Sequence, residues 1–363
     1  MSGPKIKRPK GNGLNQLLIP LIALGILVLF NLIRDPGFYR VSMAVNNYGN
    51  NVLTGNVISI IDGASELAII SMGMTLVTAA CGGQDISVGS VGTIAGSIFV
   101  IALKAMGEIT VWTVIAAALA CILVAVLFTA FNGTLVAVFN IQPMIATLIL
   151  FSCGRSIAYW IVGSATPQIS GPIINAMGKT IPGIPIPTPI FGVILVGLLL
   201  SAVFRFTTLR LYTQTVGINK GAARLNGIEP VAVKLVSFLI LGVCVAIAGI
   251  IGTSRMGQVS LKTLLIDIEM DAILAVAIGG NSLGGGRFRI SGSILGAYII
   301  QMLSTTLQSM KVAPANIKAY KAVVIIIIVV AGSPVLKAKL SDLRSRRRAK
   351  AGRVAVEQGG GAK

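Results

Sequence analysis

The sequence predicts an all-α, polytopic membrane helix bundle of about ten transmembrane helices, one of them short and broken, with a small cytoplasmic helix between two of them. Three observations predict it. Of 363 residues, 55% are hydrophobic and 11% charged, and the mean hydropathy is +0.89, which is too apolar for a soluble domain with a polar surface. The apolar residues fall in runs, most of them long enough to cross a hydrocarbon core of about 30 Å. The basic residues behind the net charge of +19 gather at the two termini and in one central stretch, where orientation in a membrane explains them better than nucleic-acid binding does.

Residues 1–16 carry Lys5, Lys7, Arg8 and Lys10 and form a basic cytoplasmic start. Leu17 to Ile33 is the first span; it is long for the apolar part of a signal peptide, and no small-residue cleavage site follows it. Arg34 to Val52 is polar, rich in Asn and outside. The second span covers 64–80. Asp62 and Glu66 share one face at its start, either as a solvated helix end or as the lining of a vestibule.

In CGGQDISVGS (81–90), Gly82 and Gly83 end one helix and Asp85 or Ser87 caps the next. Gly89, Ser90, Gly92 and Gly96 then let the third span, 88–106, approach its neighbours closely. A turn at Gly107 and Glu108 leads to the fourth span, 111–131. Asn132 and Gly133 open an inner connection that ends at Gln142, and Pro143 suits the first turn of the fifth span, which reaches Ile161. Arg155 lies inside that span, where a charge costs roughly 2.5 to 3.5 kcal/mol on insertion scales. It must snorkel, pair or face water.

From Ser164 to Pro187, five prolines (Pro167, Pro172, Pro182, Pro185, Pro187) bar a continuous helix in an outer segment. The sixth span is 189–204 and the seventh 231–252, after which an outer segment holds Arg255, Lys262, Asp267, Glu269 and Asp271. The eighth, Ala272 to Ser282, has about 11 residues, too few at about 1.5 Å each to cross the bilayer, so a broken or partly re-entrant helix follows. The nearby glycines 279, 280 and 284–286 are not followed by Gly-Lys-Ser/Thr and do not form a phosphate-cradling loop; Arg287 and Arg289 read as inner-face anchors.

The ninth span, 290–307, has Gly292 and Gly296 as a close-packing pair, with Gln301, Ser304 and Thr305 on its polar side. Lys311 to Lys321 is an outer turn, 322–336 the last span, and 337–363 a basic cytoplasmic tail with Arg344, Arg346, Arg347 and Arg348. An even number of passes puts both basic termini inside. Cys81, Cys121, Cys153 and Cys244 match no metal or redox spacing, and there is no histidine, which removes the most common general base and zinc ligand.

The central stretch, RFTTLRLYTQTVGINKGAARLNGIEPVAVK (205–234), holds a short helix with its own punctuation. Asn219 caps it, Lys220 to Asn226 forms about two turns, and Gly227 stops it in the left-handed conformation. Ile228 packs back on Ala223, and Pro230 starts the next helix. Helices below about 12 residues are marginal alone in water. This one must dock, either on its own membrane domain or on a partner.

The run Ala222, Ala223, Arg224, Leu225, Asn226, Gly227, Ile228, with Lys234 at the head of an apolar helix, resembles the cytoplasmic coupling loop of ABC-importer permeases, in the branch that takes up ribose and related simple sugars. CGGQDISVGS is similar to that family's Gly-Gly followed by Ile-Asp-Leu-Ser-Val-Gly, with Gln84 and Cys81 as departures. FNGTLVAVFNIQPMIATL is similar too, with Met144 in a Phe position. EMDAILAVAIGGNSLGGG resembles its Glu-Leu-Asp-Ala-Ile, Gly-Gly-Thr-Ser-Leu and Gly-Gly signature. Where the family often has Asn-Asn-Gly, this chain has Ser304, Thr305 and Thr306.

The resemblance implies a non-catalytic permease domain at 17–336 in the inner membrane, surrounded by lipid and binding no nucleic acid. Its coupling loop, 205–234, would present Lys220, Ala222, Ala223, Arg224, Leu225, Asn226, Gly227, Ile228 and Glu229 to a separate ATPase. ATP and Mg belong to that ATPase, and this chain binds no cofactor. A second permease subunit, identical or not, completes the pathway, and a solute-binding protein delivers a monosaccharide or similar small polar solute. The 164–187 segment is its docking surface or a simple connector. Asn281, Gln301, Ser304 and Thr305 are expected pathway residues, each equally suited to packing.

Other classes fit less well. An ion-coupled secondary transporter needs ionisable groups near the midplane, whereas the acids here lie at span ends. An intramembrane enzyme needs a clustered set of acids, bases or ligands. Within the same family, nucleosides or another non-sugar solute are the alternative cargo.

Overall fold

The computed structural model describes residues 14–45, 51–163 and 166–332. The expected basic start, up to residue 13, and the expected tail at 337–363 lie outside the described residues, as do Ser164 and the end of the last expected span. The described residues open with α1 (Leu14–Arg34), a short antiparallel hairpin of β1 (Ser42–Val45) and β2 (Asn51–Thr54), and α2 (Asn56–Gly63). Then come α3 (Ser65–Cys81), α4 (Val88–Met106), α5 (Val111–Ala137), α6 (Pro143–Val162), α7 (Pro172–Gly178) and α8 (Pro189–Phe206). The rest is α9 (Leu209–Ile218), α10 (Lys220–Leu225), α11 (Pro230–Met256), α12 (Ile268–Ile278), α13 (Ile290–Ser309) and α14 (Pro314–Gly332).

Among the described residues, seven helical stretches are long and apolar enough to cross a membrane: α2 with α3, then α4, α5, α6, α8, α11 and α13. α1, α12 and α14 fall on the three remaining expected passes. α14 belongs to a separate compact unit that begins at Val312; the other helices form the first unit.

The core of that unit is α3, α4, α5 and α11. α3 is buried along nearly its whole length, and α11 packs against α3, α4 and α5. Small residues permit this: a Cβ on Gly249 would lie 2.7 Å from the Gly92 carbonyl oxygen, so α4 and α11 approach backbone to backbone. The outer helices show the opposite face. Leu119, Leu123, Leu127 and Phe131 recur at every fourth residue of α5 and are all exposed, the apolar stripe of a helix that meets lipid or another subunit.

Three expected boundaries shift, and one expected loop gains a hairpin. α5 does not end at Phe131 but runs on to Ala137, because the Asn132 amide finds a partner in Ser87 and Gly133 fits against Phe238. α12 spans 268–278 rather than 272–282; Glu269 and Asp271 suit its first turn, and Gly279 and Gly280 end it. α14 starts at Pro314 rather than 322, since proline fits a first helical turn. The Asn-rich segment expected outside folds in part as the hairpin, where Leu53 donates to the Pro185 carbonyl at 2.9 Å.

The approach to α12 is irregular backbone, and Arg155 of α6 serves it. Its guanidinium donates to the carbonyls of Leu261 (2.8 Å), Leu264 (3.3 Å) and Leu265 (3.2 Å). Of the three options open for this charge, pairing is the one realised. Non-helical backbone among membrane helices needs such satisfaction.

Candidate functional site

The central polar stretch contains two helices. α8 carries the chain through Arg205, α9 follows, and only then does α10 begin. Asn219 sits at the N-cap of α10 in extended conformation, and its side-chain oxygen accepts the Ala222 amide at 3.1 Å. At the other end Gly227 has φ 73°. Its amide donates to the Arg224 carbonyl at 2.9 Å and that of Ile228 to the Ala223 carbonyl at 3.0 Å, the paired bonds that close a helix through a left-handed glycine. Asn226 adds a side-chain bond to the Ala222 carbonyl at 2.7 Å.

Beyond the turn, the Glu229 carboxylate accepts the Val231 amide at 3.3 Å, and Pro230 opens α11. The expected cap, stop and restart are therefore all present.

This helix is held by one face only. Ala223 is fully buried in a small cluster with Val216 of α9 and Val233 of α11, and Ile228 packs against it. Lys220, Ala222, Arg224, Asn226, Gly227 and Glu229 are exposed, and Leu225 is 91% exposed. The two docking alternatives thus divide between the faces: one is seated on the chain's own helices, and the other leaves a bare leucine flanked by polar groups.

The seat is rigid. A Cβ on Gly217 of α9 would collide with the Ala79 carbonyl of α3 and with the Gly286 amide, and that amide itself donates to the Ala79 carbonyl at 2.9 Å. Gln84 donates to the Leu283 carbonyl at 3.2 Å. Through α9, the small helix is therefore wedged against the end of the central helix α3 and the turn between α12 and α13. α9 was not expected from sequence, although Leu209, Thr213 and Val216 sit at helical spacing and the last two are buried.

Residues 41–331 match the model of a family described as "Branched-chain amino acid transport system / permease component". The chain belongs to this family. It is 33% identical over 326 residues to the galactofuranose transporter permease protein of Escherichia coli (strain K12), covering 90% of this chain and 92% of that one. It is 33% identical over 345 residues to the fructose import permease protein of Bifidobacterium longum, covering 94% of each. To the ribose import permease protein of Escherichia coli (strain K12) it is 31% identical over 317 residues, 85% of this chain and 91% of that one. No solved structure matches. The protein is a multi-pass inner-membrane permease subunit of an ABC importer, and ATP hydrolysis is the work of a separate subunit.

In this permease the two family-like motifs around Asp85 and Asn132 meet. Asp85 accepts the Ser87 amide at 2.7 Å and the Ser87 hydroxyl at 2.6 Å. Asn132 donates to the Ser87 hydroxyl oxygen at 2.9 Å and reaches Asp85 at 3.5 Å. Ser87 occupies the N-cap position of α4 without making a side-chain cap bond, so neither expected residue caps the helix; Asp85 closes a local turn instead. Burial pushes the Asp85 carboxyl above the ordinary carboxylate range, while the bonds from Ser87 and Asn132 pull it back.

The four expected pathway residues make separate contacts among the described residues. Asn281 braces the turn between α12 and α13: it accepts the Arg289 amide at 2.6 Å and donates to the Ser293 hydroxyl at 2.8 Å. Gln301 lies against Gly63 of α2. Ser304 is buried and bonds back to the Ile300 carbonyl at 3.0 Å, and Thr305 is buried beside it.

At the opposite end from α10, Arg255 pairs with Asp62 at 2.9 Å and Glu66 at 3.3 Å. Neither acid is simply a solvated helix end. Asp62 also borders a cavity of about 480 Å³ with Thr54, Ser59, Thr180 and Arg255. Among the described residues, no group of three or more His, Cys, Asp or Glu is placed to hold a metal.

Proposed function

We propose that this permease carries a monosaccharide or similarly small polar solute into the cell, and that α10 is the element through which a separate ATPase drives it. The cargo class is supported by the relatives, whose names give galactofuranose, fructose and ribose. The single observation that carries the coupling role is the division of α10 into a buried face at Ala223 and a free face at Leu225. A two-turn helix gripped by its own bundle on one side transmits a push received on the other.

Within this proposal residues 205–234 and both termini are cytoplasmic, and 17–336 is the transmembrane domain. ATP and Mg are bound by the partner alone. A second permease subunit completes the pathway, and a solute-binding protein docks at the far end, where the Pro-rich segment 164–187 lies. Closure of the ATPase moves α10, and α9 passes that movement to α3 and to the turn before α13, rocking the bundle between outward- and inward-facing states.

The test is coupling in reconstituted vesicles. Arg224→Glu and Gly227→Leu are expected to insert normally yet to separate ATP hydrolysis from solute uptake. Unchanged uptake in both variants contradicts the reading.

A further inference from the structure

A second feature lies beside α10 and is not explained by coupling. A cavity of about 120 Å³ is lined by Ala137, Asn140, Lys220, Arg224, Pro230 and Lys234. Three of these are cations that converge from two helices, Lys220 and Arg224 one turn apart on α10 and Lys234 on the first turns of α11. Lys234 is only 3% exposed. Among the described residues, none of the three takes part in an ion pair. Glu229, the one acid of the stretch, turns its carboxylate onto the Val231 amide instead. All three line the same recess, so like charges face one another, and no acid is among the lining residues. Burying a cation uncompensated is costly, and a bound anion removes that cost.

The rim of the cavity shows what kind of anion fits. Ala137 and Asn140 bring the end of α5 to its mouth, and between them Val138 and Phe139 are 51% and 66% exposed. Large apolar side chains standing out next to a cationic recess suit a ligand that joins an anion to hydrocarbon. The cavity holds about one phosphate group. A free phosphate ion leaves Val138 and Phe139 uncovered, and so does a carboxylate reaching in from a soluble partner.

We propose that the recess formed by Lys220, Arg224 and Lys234 binds the phosphate of an anionic phospholipid, whose acyl chains lie along Val138 and Phe139. Basic pockets between membrane helices hold anionic headgroups in this way. The lipid bridges α10, α11 and the end of α5, and so steadies the helix from beneath.

The experiment uses the full-length permease in nanodiscs of phosphatidylcholine with a fixed fraction of phosphatidylglycerol, reading retained lipid by native mass spectrometry. The wild type is expected to retain phosphatidylglycerol in preference. Lys234→Gln and, separately, the exposed and fold-safe Lys220→Gln are each expected to lower that retention about fivefold, which corresponds to about 1 kcal/mol per basic residue. Retention unchanged in Lys220→Gln overturns the proposal. So does displacement of the lipid by millimolar inorganic phosphate, which would make this a soluble-anion site, or by the importer's ATPase, which would make it a protein-carboxylate site.

Discussion

Ile228 donates its amide to the carbonyl of Ala223 at 3.0 Å, and with that bond the chain reverses over Gly227 and lays the Ile228 side chain on the buried face of α10. The bond depends on the left-handed backbone at Gly227, φ 73°. No atom lies within 4 Å of a Cβ placed there, so substitution is opposed by backbone conformation rather than by crowding. A side chain in this region costs roughly 1–2 kcal/mol, and Asn tolerates it best. Gly227→Val is therefore expected to lower uptake markedly at an unchanged level of inserted protein, and Gly227→Asn to recover most of it, as measured by solute uptake in vesicles.

Leu225 contributes nothing to its own subunit's core. Leu225→Asp is expected to leave the unfolding temperature of the isolated permease nearly unchanged, within the roughly 0.5 kcal/mol usual for surface sites. The same variant is expected to lose co-purification with the ATPase. Thermal unfolding and pull-down of the paired subunits check the two halves separately.

Asn132 anchors one motif to another. Asn132→Ala removes the 2.9 Å bond to Ser87 and leaves the buried turn at Asp85 short of a donor. The expected cost is about 1–3 kcal/mol, read as a lower unfolding temperature of the detergent-solubilised protein. Asn132→Asp is expected to be worse, since it places a second carboxyl against Asp85.

Arg155→Met keeps a long side chain but strips the Leu261 and Leu265 carbonyls of their donor and leaves Leu264 with the Thr93 hydroxyl alone. A loss of about 2 kcal/mol is expected, within the range for hydrogen bonds to a charged group. Arg155→Lys, which keeps the charge but not the fork that spans several acceptors, is expected to fall between. Thermal unfolding of the three proteins side by side gives the order.

The punctuation of α10 was legible in the sequence because each signal acts within a few residues: Asn219 on Ala222, Gly227 on its own φ, and Ile228 on Ala223. The seven long apolar helices were legible for a similar reason, since hydropathy is a property of each run alone. What escaped depends on distant partners. Asn132 and Gly133 look like a turn, yet Ser87 and Phe238 keep them helical. The fate of Arg155 was decided by carbonyls more than a hundred residues away.

α9 was hidden because it is a short amphipathic helix beside much stronger apolar runs, and its burial comes from Ala79 and Gly286. Asn281, Gln301, Ser304 and Thr305 are polar residues on or beside one helix, and their spacing does not reveal that the Arg289 amide takes Asn281 or that Ser304 turns back on its own backbone.

The most direct measurement is chemical protection at the free face of α10. With Cys81, Cys121, Cys153 and Cys244 replaced by serine, Leu225→Cys supplies a single thiol at the position that is 91% exposed, and its rate of maleimide labelling is compared with and without the importer's ATPase subunit. Fast labelling of the permease alone and strong protection in the complex are predicted. Equal rates in the two states contradict the account.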